Sequence, residues 1–293
     1  MANQLKIIGQ AYKNFGLKHT SKSTATLPHS QRFFKKHCLN SEEASQLSNA
    51  SLQGGTIIHL LVQESLTKKI SLAEAYASKK ITDKINKYEP FNEKDKKKFD
   101  MIIKHSIETA KNHILNINEL PEQIWQDELE YTVWTPPVET YWLCYIDLIG
   151  QSMFGDLKNK FGSIRETKKG ISYTSVKIPD RPFFSDLLQI ALYKKVCPLK
   201  PFLSYASHTD RKLFTEDNCE DLKEENLQKY LKQLMIYEIA WQKKLEYANG
   251  DIEKLAWLCP PDFSDIKKGS FWWEGVPKDF IARYLKFYDI KQN

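Results

Sequence analysis

The residues from Trp142 to Ile149 are the most restrictive feature of the sequence, because they are almost entirely apolar apart from one acid. A short apolar run of this kind is typical of a buried β-strand. It follows an alternating, β-favouring segment, Leu129 to Trp134, and precedes Ser163 to Lys168, which predicts a third, shorter strand. Between them, Gly155-Asp156 and Gly162 indicate a turn region. We therefore expect a three-stranded meander.

Helical segments flank the predicted meander. Thr56 to Glu64 predicts a buried helix with Thr56 near its N-cap, and Phe183 to Tyr193 predicts a second helix with Ser185 as a candidate cap. Pro201 to Ala206 predicts a fourth strand. Further on, residues 220–248 carry leucines at helical spacing and predict a long helix. The order of elements indicates an α/β fold.

Composition is that of a folded soluble protein, with 41% hydrophobic and 27% charged residues in 293 positions. We expect a single domain over residues 1–293, with a core at about 30–206, a helical insertion at about 68–120 and a helical C-terminal lobe at about 220–293. No run of about 18 apolar residues occurs, and the first residues lack the features of a secretory signal. We therefore expect an intracellular protein without a membrane association.

Charge and cysteine usage narrow the classes of partner and cofactor. The net charge of +6 is compatible with a polyanionic partner without demanding one. The five cysteines, at positions 38, 144, 197, 219 and 259, form no CxxC pair. They predict reduced thiols, mostly in the core, rather than disulfides or a zinc ribbon.

Asp147 and the triplet Glu166-Thr167-Lys168 are the first candidate functional residues. An acid in an apolar strand is costly to bury unless it is paired or holds a cation, although a strand end that reaches solvent would also explain Asp147. The two-residue period of a strand places Glu166 and Lys168 on one face, where the carboxylate could bind Mg²⁺ or Mn²⁺ and the ammonium could act on a water or a phosphate. By itself, such a triplet is also compatible with ordinary surface residues.

Two further groups lie on the predicted helices. His59 is surrounded by apolar residues, where a histidine is either a hydrogen-bonded core residue or a metal ligand. Gln189 and Tyr193 are four positions apart and so share one helical face, which could point toward the strand that carries Glu166. Two polar residues on an amphipathic helix are the alternative interpretation.

Taken in order, these motifs resemble those of the RecB-like branch of the PD-(D/E)XK nucleases. They are Gly55-x3-His59, Ile146-Asp147, Glu166-x-Lys168 and Gln189-x3-Tyr193. The chain looks similar to single-domain exonucleases such as the mitochondrial genome maintenance exonuclease and the phage exonucleases of the lambda type, over roughly residues 30–206. The resemblance implies the αβββαβ core of that class, with a mixed central sheet.

The resemblance also implies roles for single residues. His59, Asp147 and Glu166, with the backbone carbonyl of Thr167, would bind Mg²⁺ or Mn²⁺, and Lys168 would orient or activate the attacking water. Gln189 and Tyr193 would support the site from the helix. The cysteine spacing departs from that of the relatives that carry an iron–sulfur cluster, so we expect no cluster.

The function implied is metal-assisted hydrolysis of DNA, leaving a 5′-phosphate and a 3′-hydroxyl. We expect an exonuclease that acts from DNA ends in recombination, repair or phage DNA metabolism, because no separate sequence-reading module is evident. Two alternatives stay open: a structure-specific or restriction-type endonuclease, and a non-catalytic DNA-binding module with a nuclease fold. The sequence leaves the oligomeric state open.

Overall fold

The computed structural model describes residues 7–47, 49–167, 170–174, 176–268, 273 and 276–288. Its α-helices are α1 (Gln10–Asn14), α2 (Lys22–Ala25), α3 (His29–Phe33), α4 (Ser41–Gln46), α5 (Ala50–Lys68), α6 (Leu72–Tyr76), α7 (Lys79–Asn86), α8 (Glu93–Lys104), α9 (Ser106–Ile117), α10 (Phe184–Val196), α11 (Glu224–Ala248), α12 (Ile252–Trp257), α13 (Phe263–Lys268) and α14 (Lys278–Leu285). A π-helical turn covers Phe34–Cys38, and 3₁₀ turns cover Glu220–Leu222 and Lys286–Tyr288. Its strands are β1 (His19–Thr20), β2 (Leu129–Trp134), β3 (Tyr141–Ile146), β4 (Leu148–Ile149), β5 (Met153–Asn159), β6 (Ile164–Thr167), β7 (Gly170–Tyr173), β8 (Lys200–Ala206) and β9 (Arg211–Thr215).

The chain divides into two compact units. The terminal unit comprises Met1–Leu47, Tyr131–Cys144 and Tyr230–Asn293, and the sheet unit comprises Ser48–Glu130 and Tyr145–Lys229. The expectation of a single domain stays a prediction. The predicted α/β class is confirmed, since helices and mixed sheets occur together.

A four-stranded mixed sheet forms the centre of the sheet unit, in the order β4-β5-β8-β9. The inner strands β5 and β8 run parallel, while β4 and β9 pair antiparallel with them at the two edges. Between β5 and β8 the chain passes through α10, as a parallel crossover requires. This order brings residues of β5 and α10 into one region of the unit.

The strand β5 corrects the sequence analysis, which predicted a turn region around Gly155-Asp156. Both residues lie inside β5, paired with Phe202 and Leu203 of β8. A Cβ atom at Gly155 would collide with the ring of Phe202, so this glycine permits a close approach between neighbouring strands. The local composition around Gly155 does not distinguish a glycine that permits close strand packing from a glycine in a turn.

The predicted meander was also wrong in its pairing. The strands expected at 129–134 and 142–149 exist as β2, β3 and β4, and β2 pairs with β3 in a three-stranded sheet with β1. The third expected strand is β6, which pairs antiparallel with β7 in a two-stranded sheet of its own. Strand pairing depends on distant partners, and the sequence periodicity does not encode them.

The core of the sheet unit is built on α5, whose Ile57, Ile58 and Leu61 are fully buried. This helix contains the predicted segment 56–64, but it begins earlier than expected. Its N-cap is Asn49, whose side chain accepts a hydrogen bond from Leu52 N, whereas Thr56 lies inside the helix and donates to Leu52 O. Helix α10 likewise begins after Phe183, so the predicted cap Ser185 is internal.

The terminal unit is mainly helical. Its core packs aromatic side chains of several helices, among them Phe33, Trp241 and Tyr284. The predicted long helix is α11, 25 residues from Glu224 to Ala248. All five cysteines are free thiols and four are buried, which confirms their assignment to the core. Within the described ranges, no helix is long and apolar enough to cross a membrane.

Candidate active site

Asp147 lies in the sheet unit, between β3 and β4, and it is buried. Its Oδ1 is 3.3 Å from Nδ1 of His59, and its Oδ2 accepts a hydrogen bond of 2.7 Å from the backbone nitrogen of Leu157. The amide of Gln63, one turn after His59 on α5, donates to the carbonyl of Asp147 at 2.9 Å. Helix α5 therefore fixes both the side chain and the backbone of this acid.

Electrostatics keep Asp147 ionised. Burial opposes its charge, but attraction to His59 and hydrogen bonds from His59 and Leu157 outweigh burial and lower the pKa of Asp147 to about 2. Burial also disfavours the charged form of His59, yet Asp147 raises the pKa of the imidazole. Because 27% of the His59 side chain is exposed, the pair lies at the edge of solvent.

Strand β5 contributes a second acid and a lysine, in the triplet Asp156-Leu157-Lys158. The period of the strand places Asp156 and Lys158 on the same face, and the two side chains form an ion pair. The ammonium of Lys158 is also 3.6 Å from Asp186 of α10. A single lysine is thus held between two carboxylates.

The carboxyl groups of Asp156 and Asp147 are close enough to interact directly. Burial, reinforced by the neighbouring Asp147 and opposed by Lys158, raises the pKa of Asp156 to about 7. For Lys158, burial disfavours the ammonium, but Asp156 and Asp186 outweigh burial and raise its pKa. The lysine is therefore charged at neutral pH, and the two carboxyl groups compete for a proton or a cation.

Helix α10 presents Asp186, Gln189 and Tyr193 on one face, since they are three and four positions apart. Gln189 accepts a hydrogen bond of 2.8 Å from Lys158 and donates to Asp156 at 3.4 Å and to the hydroxyl of Tyr193 at 2.5 Å. The amide of Gln189 therefore orients both charged residues of β5. Asp186 accepts a hydrogen bond from the hydroxyl of Tyr205, which fixes its position.

The structure brings together four of the residues singled out from sequence: His59, Asp147, Gln189 and Tyr193. Glu166 and Thr167 lie in the two-stranded sheet of β6 and β7, where their backbones pair with Ile171 and Gly170, and their assignment to the site stays a prediction. Lys168 lies outside the described residues. Among the described residues, an acid and a lysine that the sequence analysis missed lie beside Asp147, and these are Asp156 and Lys158.

A signal for the missed residues was present in the sequence. Asp156-Leu157-Lys158 is itself an acid-x-lysine triplet, and it is preceded by the apolar pair Met153-Phe154. Interpreting Gly155 as part of a turn hid the strand, and with it the triplet. Asp186 carried no motif of its own, and only the folded arrangement shows its contact with Lys158.

The cluster around Asp147 offers a set of possible donor atoms for a metal ion. As the side chains stand, no group of three or more His, Cys, Asp or Glu among the described residues is arranged around a cation position. The chemistry of the donors does fit a hard divalent cation, since two adjacent buried carboxylates and one imidazole offer oxygen and nitrogen ligands. Oδ2 of Asp156 is buried and receives no hydrogen bond, and its contact is the ion pair with Lys158.

Comparisons with known proteins gave limited similarities. No protein-family model matches the chain, and no curated protein matches it. Among solved structures, it is similar to a candidate exonuclease from Eubacterium rectale, with a TM-score of 0.46, 13% identity, and coverage of 85% of this chain and 87% of that chain. It is also similar to the protein SSO0001, with a TM-score of 0.27, 12% identity, and coverage of 62% and 73%. Neither likeness is strong enough to carry an argument about function.

Proposed function

We propose that this chain is a divalent-metal-dependent nuclease of the PD-(D/E)XK class that hydrolyses phosphodiester bonds in DNA. The observation that carries the proposal is the meeting of Asp147 with Asp156 and Lys158 in one buried cluster beside His59. An acid on one strand end and an acid-x-lysine triplet on the next strand are the arrangement that gives this class its name. In this proposal, Asp156-Leu157-Lys158 takes the place that the sequence resemblance assigned to residues 166–168.

The residues that would hold the metal are Asp147, Asp156 and His59. Bound there, Mg²⁺ or Mn²⁺ would neutralise charge on the phosphate and lower the pKa of a water molecule. Support comes from the raised pKa of Asp156, because a buried carboxyl beside another carboxylate gains stability from any added positive charge. Leu157 takes the position between acid and lysine that the sequence analysis gave to Thr167.

The proposed role of Lys158 is to stabilise charge. Asp186 and Gln189 hold its side chain as an ammonium, so in the proposal it donates hydrogen bonds and does not accept the proton of the water. In the reaction, a water oxygen forms a bond to phosphorus and its proton passes to solvent. The bond between phosphorus and the 3′ oxygen breaks, and that oxygen takes up a proton, which leaves a 5′-phosphate and a 3′-hydroxyl.

Three residues of α10 act on this lysine without touching the reacting atoms in the proposal. Asp186 and Gln189 hold the ammonium, and Tyr193 holds Gln189. Preorganised contacts of this kind keep a charged group at one point and avoid rearrangement during the reaction. They are positioning residues.

The experiment compares end-labelled linear DNA with covalently closed circular DNA of the same sequence, in Mg²⁺, Mn²⁺, Ca²⁺ and EDTA. We expect linear DNA to be shortened from an end in Mg²⁺ or Mn²⁺, while closed circles are spared. If closed circles were cut as fast as linear DNA, the protein would be an endonuclease and not the exonuclease expected from sequence. DNA bound but never cleaved in any metal would indicate a non-catalytic DNA-binding module and overturn the proposal.

A further inference from the structure

Two phenylalanines at the start of α10 are exposed beside the buried cluster. Phe183 is 47% exposed and Phe184 is 48% exposed, although both are large and apolar. The exposed parts of the two rings leave apolar surface in water, and next to the proposed catalytic site such surface can contact a ligand. The pair belongs to the sheet unit, as does the cluster of charged residues.

Phe183 is linked to Lys158 through Tyr205 and Asp186. Its backbone nitrogen donates to the hydroxyl of Tyr205 at 3.1 Å, and that hydroxyl donates to Asp186. Asp186 in turn is 3.6 Å from the ammonium of Lys158. The position of Phe183 is therefore set by the same contacts that set Lys158.

A second lysine completes this surface. Lys160 follows Lys158 by two residues, and its backbone nitrogen still bonds to Ala206 O, so both lysines project to the same side of the extended chain. The ammonium of Lys160 lies 4.0 Å from the ring centre of Phe183 and 5.0 Å from that of Tyr205. A cation and an exposed ring thus stand together beside the cluster.

We infer that Phe183, Phe184 and Lys160 form a docking site for one unpaired nucleotide of a DNA strand, next to the phosphate that is cleaved. A phenylalanine ring stacks on a base of any identity, and the ammonium of Lys160 pairs with a backbone phosphate. The inference rests on the proposed function and adds to it a preference for single-stranded or frayed DNA ends. A paired base inside a duplex has no free face to offer the ring.

The test measures binding apart from cleavage. DNA affinity is measured in EDTA by fluorescence anisotropy, with a labelled single-stranded oligonucleotide and with the blunt duplex of the same sequence. The proteins compared are the wild type, Phe183→Ala, Phe184→Ala and Lys160→Ala. We expect Phe183→Ala to weaken single-strand binding roughly tenfold or more, as loss of base stacking does. Duplex affinity should change much less.

Two further variants at Phe183 separate the effect of base stacking from the effect of apolar side-chain bulk. Phe183→Tyr keeps the flat ring and should retain single-strand affinity, while Phe183→Leu keeps apolar bulk without the ring and should behave like Phe183→Ala. Tyr247→Ala is the matched control, because Tyr247 is 64% exposed and has Lys254 Nζ 4.1 Å from its ring centre, but lies in the terminal unit. It should leave affinity unchanged.

Equal losses on single strands and duplex, or equal losses in Phe183→Ala and Tyr247→Ala, would overturn the inference. The same holds if Phe183→Leu binds like the wild type. These outcomes leave the proposed nuclease intact if the wild type still degrades linear DNA in Mg²⁺. Conversely, normal single-strand discrimination by a wild type that cleaves nothing would refute the nuclease proposal while retaining the docking site.

Discussion

Lys158 on β5 donates a hydrogen bond of 2.8 Å to the side-chain oxygen of Gln189 on α10. Through this contact, α10, which lies between the parallel strands β5 and β8 in the chain, also positions the charged side chain of Lys158 on β5. The same amide donates to Asp156 and to Tyr193. The catalytic lysine of the proposed site is thus held from outside its own strand.

The first prediction tests which acid belongs to the site. Asp156→Asn should lower the turnover of DNA cleavage in Mg²⁺ by about 10² or more, because it removes one of two adjacent carboxylates proposed to hold the cation. Turnover is measured with end-labelled linear DNA at a saturating concentration of DNA. DNA affinity in Ca²⁺ should change much less.

Glu166→Gln is the matched variant, since Glu166 is the acid of the acid-x-lysine triplet first chosen from sequence and lies in the two-stranded sheet. We expect it to cleave DNA at nearly the wild-type rate. A large loss in Glu166→Gln together with full activity in Asp156→Asn would return the site to the residues first assigned from sequence.

The second prediction concerns the charge of Lys158. Lys158→Met should lower turnover by about 10² or more, since it removes the cation proposed to stabilise the transition state. Because the ammonium has a raised pKa, the rate should not follow the titration of this lysine between pH 6 and about pH 9. A wild-type pH profile with a basic-side rise that disappears in Lys158→Met would show instead that the lysine accepts a proton.

Gln189 supports a third prediction. Gln189→Met should lower turnover by roughly 10- to 100-fold, as loss of a supporting contact around a catalytic group usually does, with little change in KM. Thermal unfolding measured alongside should show that the variant is folded. A higher KM with unchanged turnover would mean that Gln189 binds DNA and does not position Lys158.

The sequence was informative where local spacing decides the outcome. Gln189 and Tyr193 share a helical face because they are four residues apart, and the structure shows them hydrogen-bonded to each other. For Asp147, the apolar run left two alternatives open, a buried and paired acid or a strand end that reaches solvent, and the structure shows it buried beside His59. The shared helical face depends only on residues one turn apart.

The sequence did not show which acid-x-lysine triplet lies beside Asp147, because that depends on how the strands pair in the folded protein. Two of the chain's acid-x-lysine triplets, 156–158 and 166–168, lie ten residues apart, and each has an apolar residue two positions before its acid. What distinguishes them among the described strands is that β5 pairs with β8 along its whole length, whereas β6 pairs with β7 in a two-stranded sheet. The close approach of Gly155 to Phe202, which makes β5 possible, is invisible in a single sequence.

A fourth prediction concerns pH and two histidines of the terminal unit, His29 and His37. Burial, with help from nearby cations such as Arg32, lowers the pKa of each to about 4. The unfolded chain binds these protons at an ordinary pKa of about 6.5. The unfolded state therefore takes up more protons between these values, so the stability contributed at pH 7 is lost as the pH falls from about 6.5 toward 4.

The measurement is the urea midpoint at several pH values for the wild type and for His29→Gln/His37→Gln. We expect the double variant to show a shallower fall in the midpoint over this range. An unchanged slope would mean that these histidines are not the groups whose protonation destabilises the fold.

The fifth prediction compares a buried ion pair with an exposed one in the terminal unit. Arg32 binds both carboxylate oxygens of Glu238 at 2.6 Å, and the pair is almost fully buried. Tyr12 and Thr20 donate to the same carboxylate at 2.8 and 3.0 Å. Glu238→Gln leaves the guanidinium buried without a counter-charge and should cost roughly 3 kcal/mol or more of the free energy of unfolding.

The exposed counterpart is Glu246, which pairs with Lys243 at 2.6 Å on the same helix. Glu246→Gln should cost less than about 1 kcal/mol, because water screens an exposed pair and replaces its hydrogen bonds. Urea unfolding followed by tryptophan fluorescence suits the comparison, since the guanidinium of Arg32 lies 4.5 Å from the ring centre of Trp241. If the two variants lost the same stability, burial would not be the reason that Glu238 matters, and the Arg32 network would have to be regarded as a surface interaction in energetic terms.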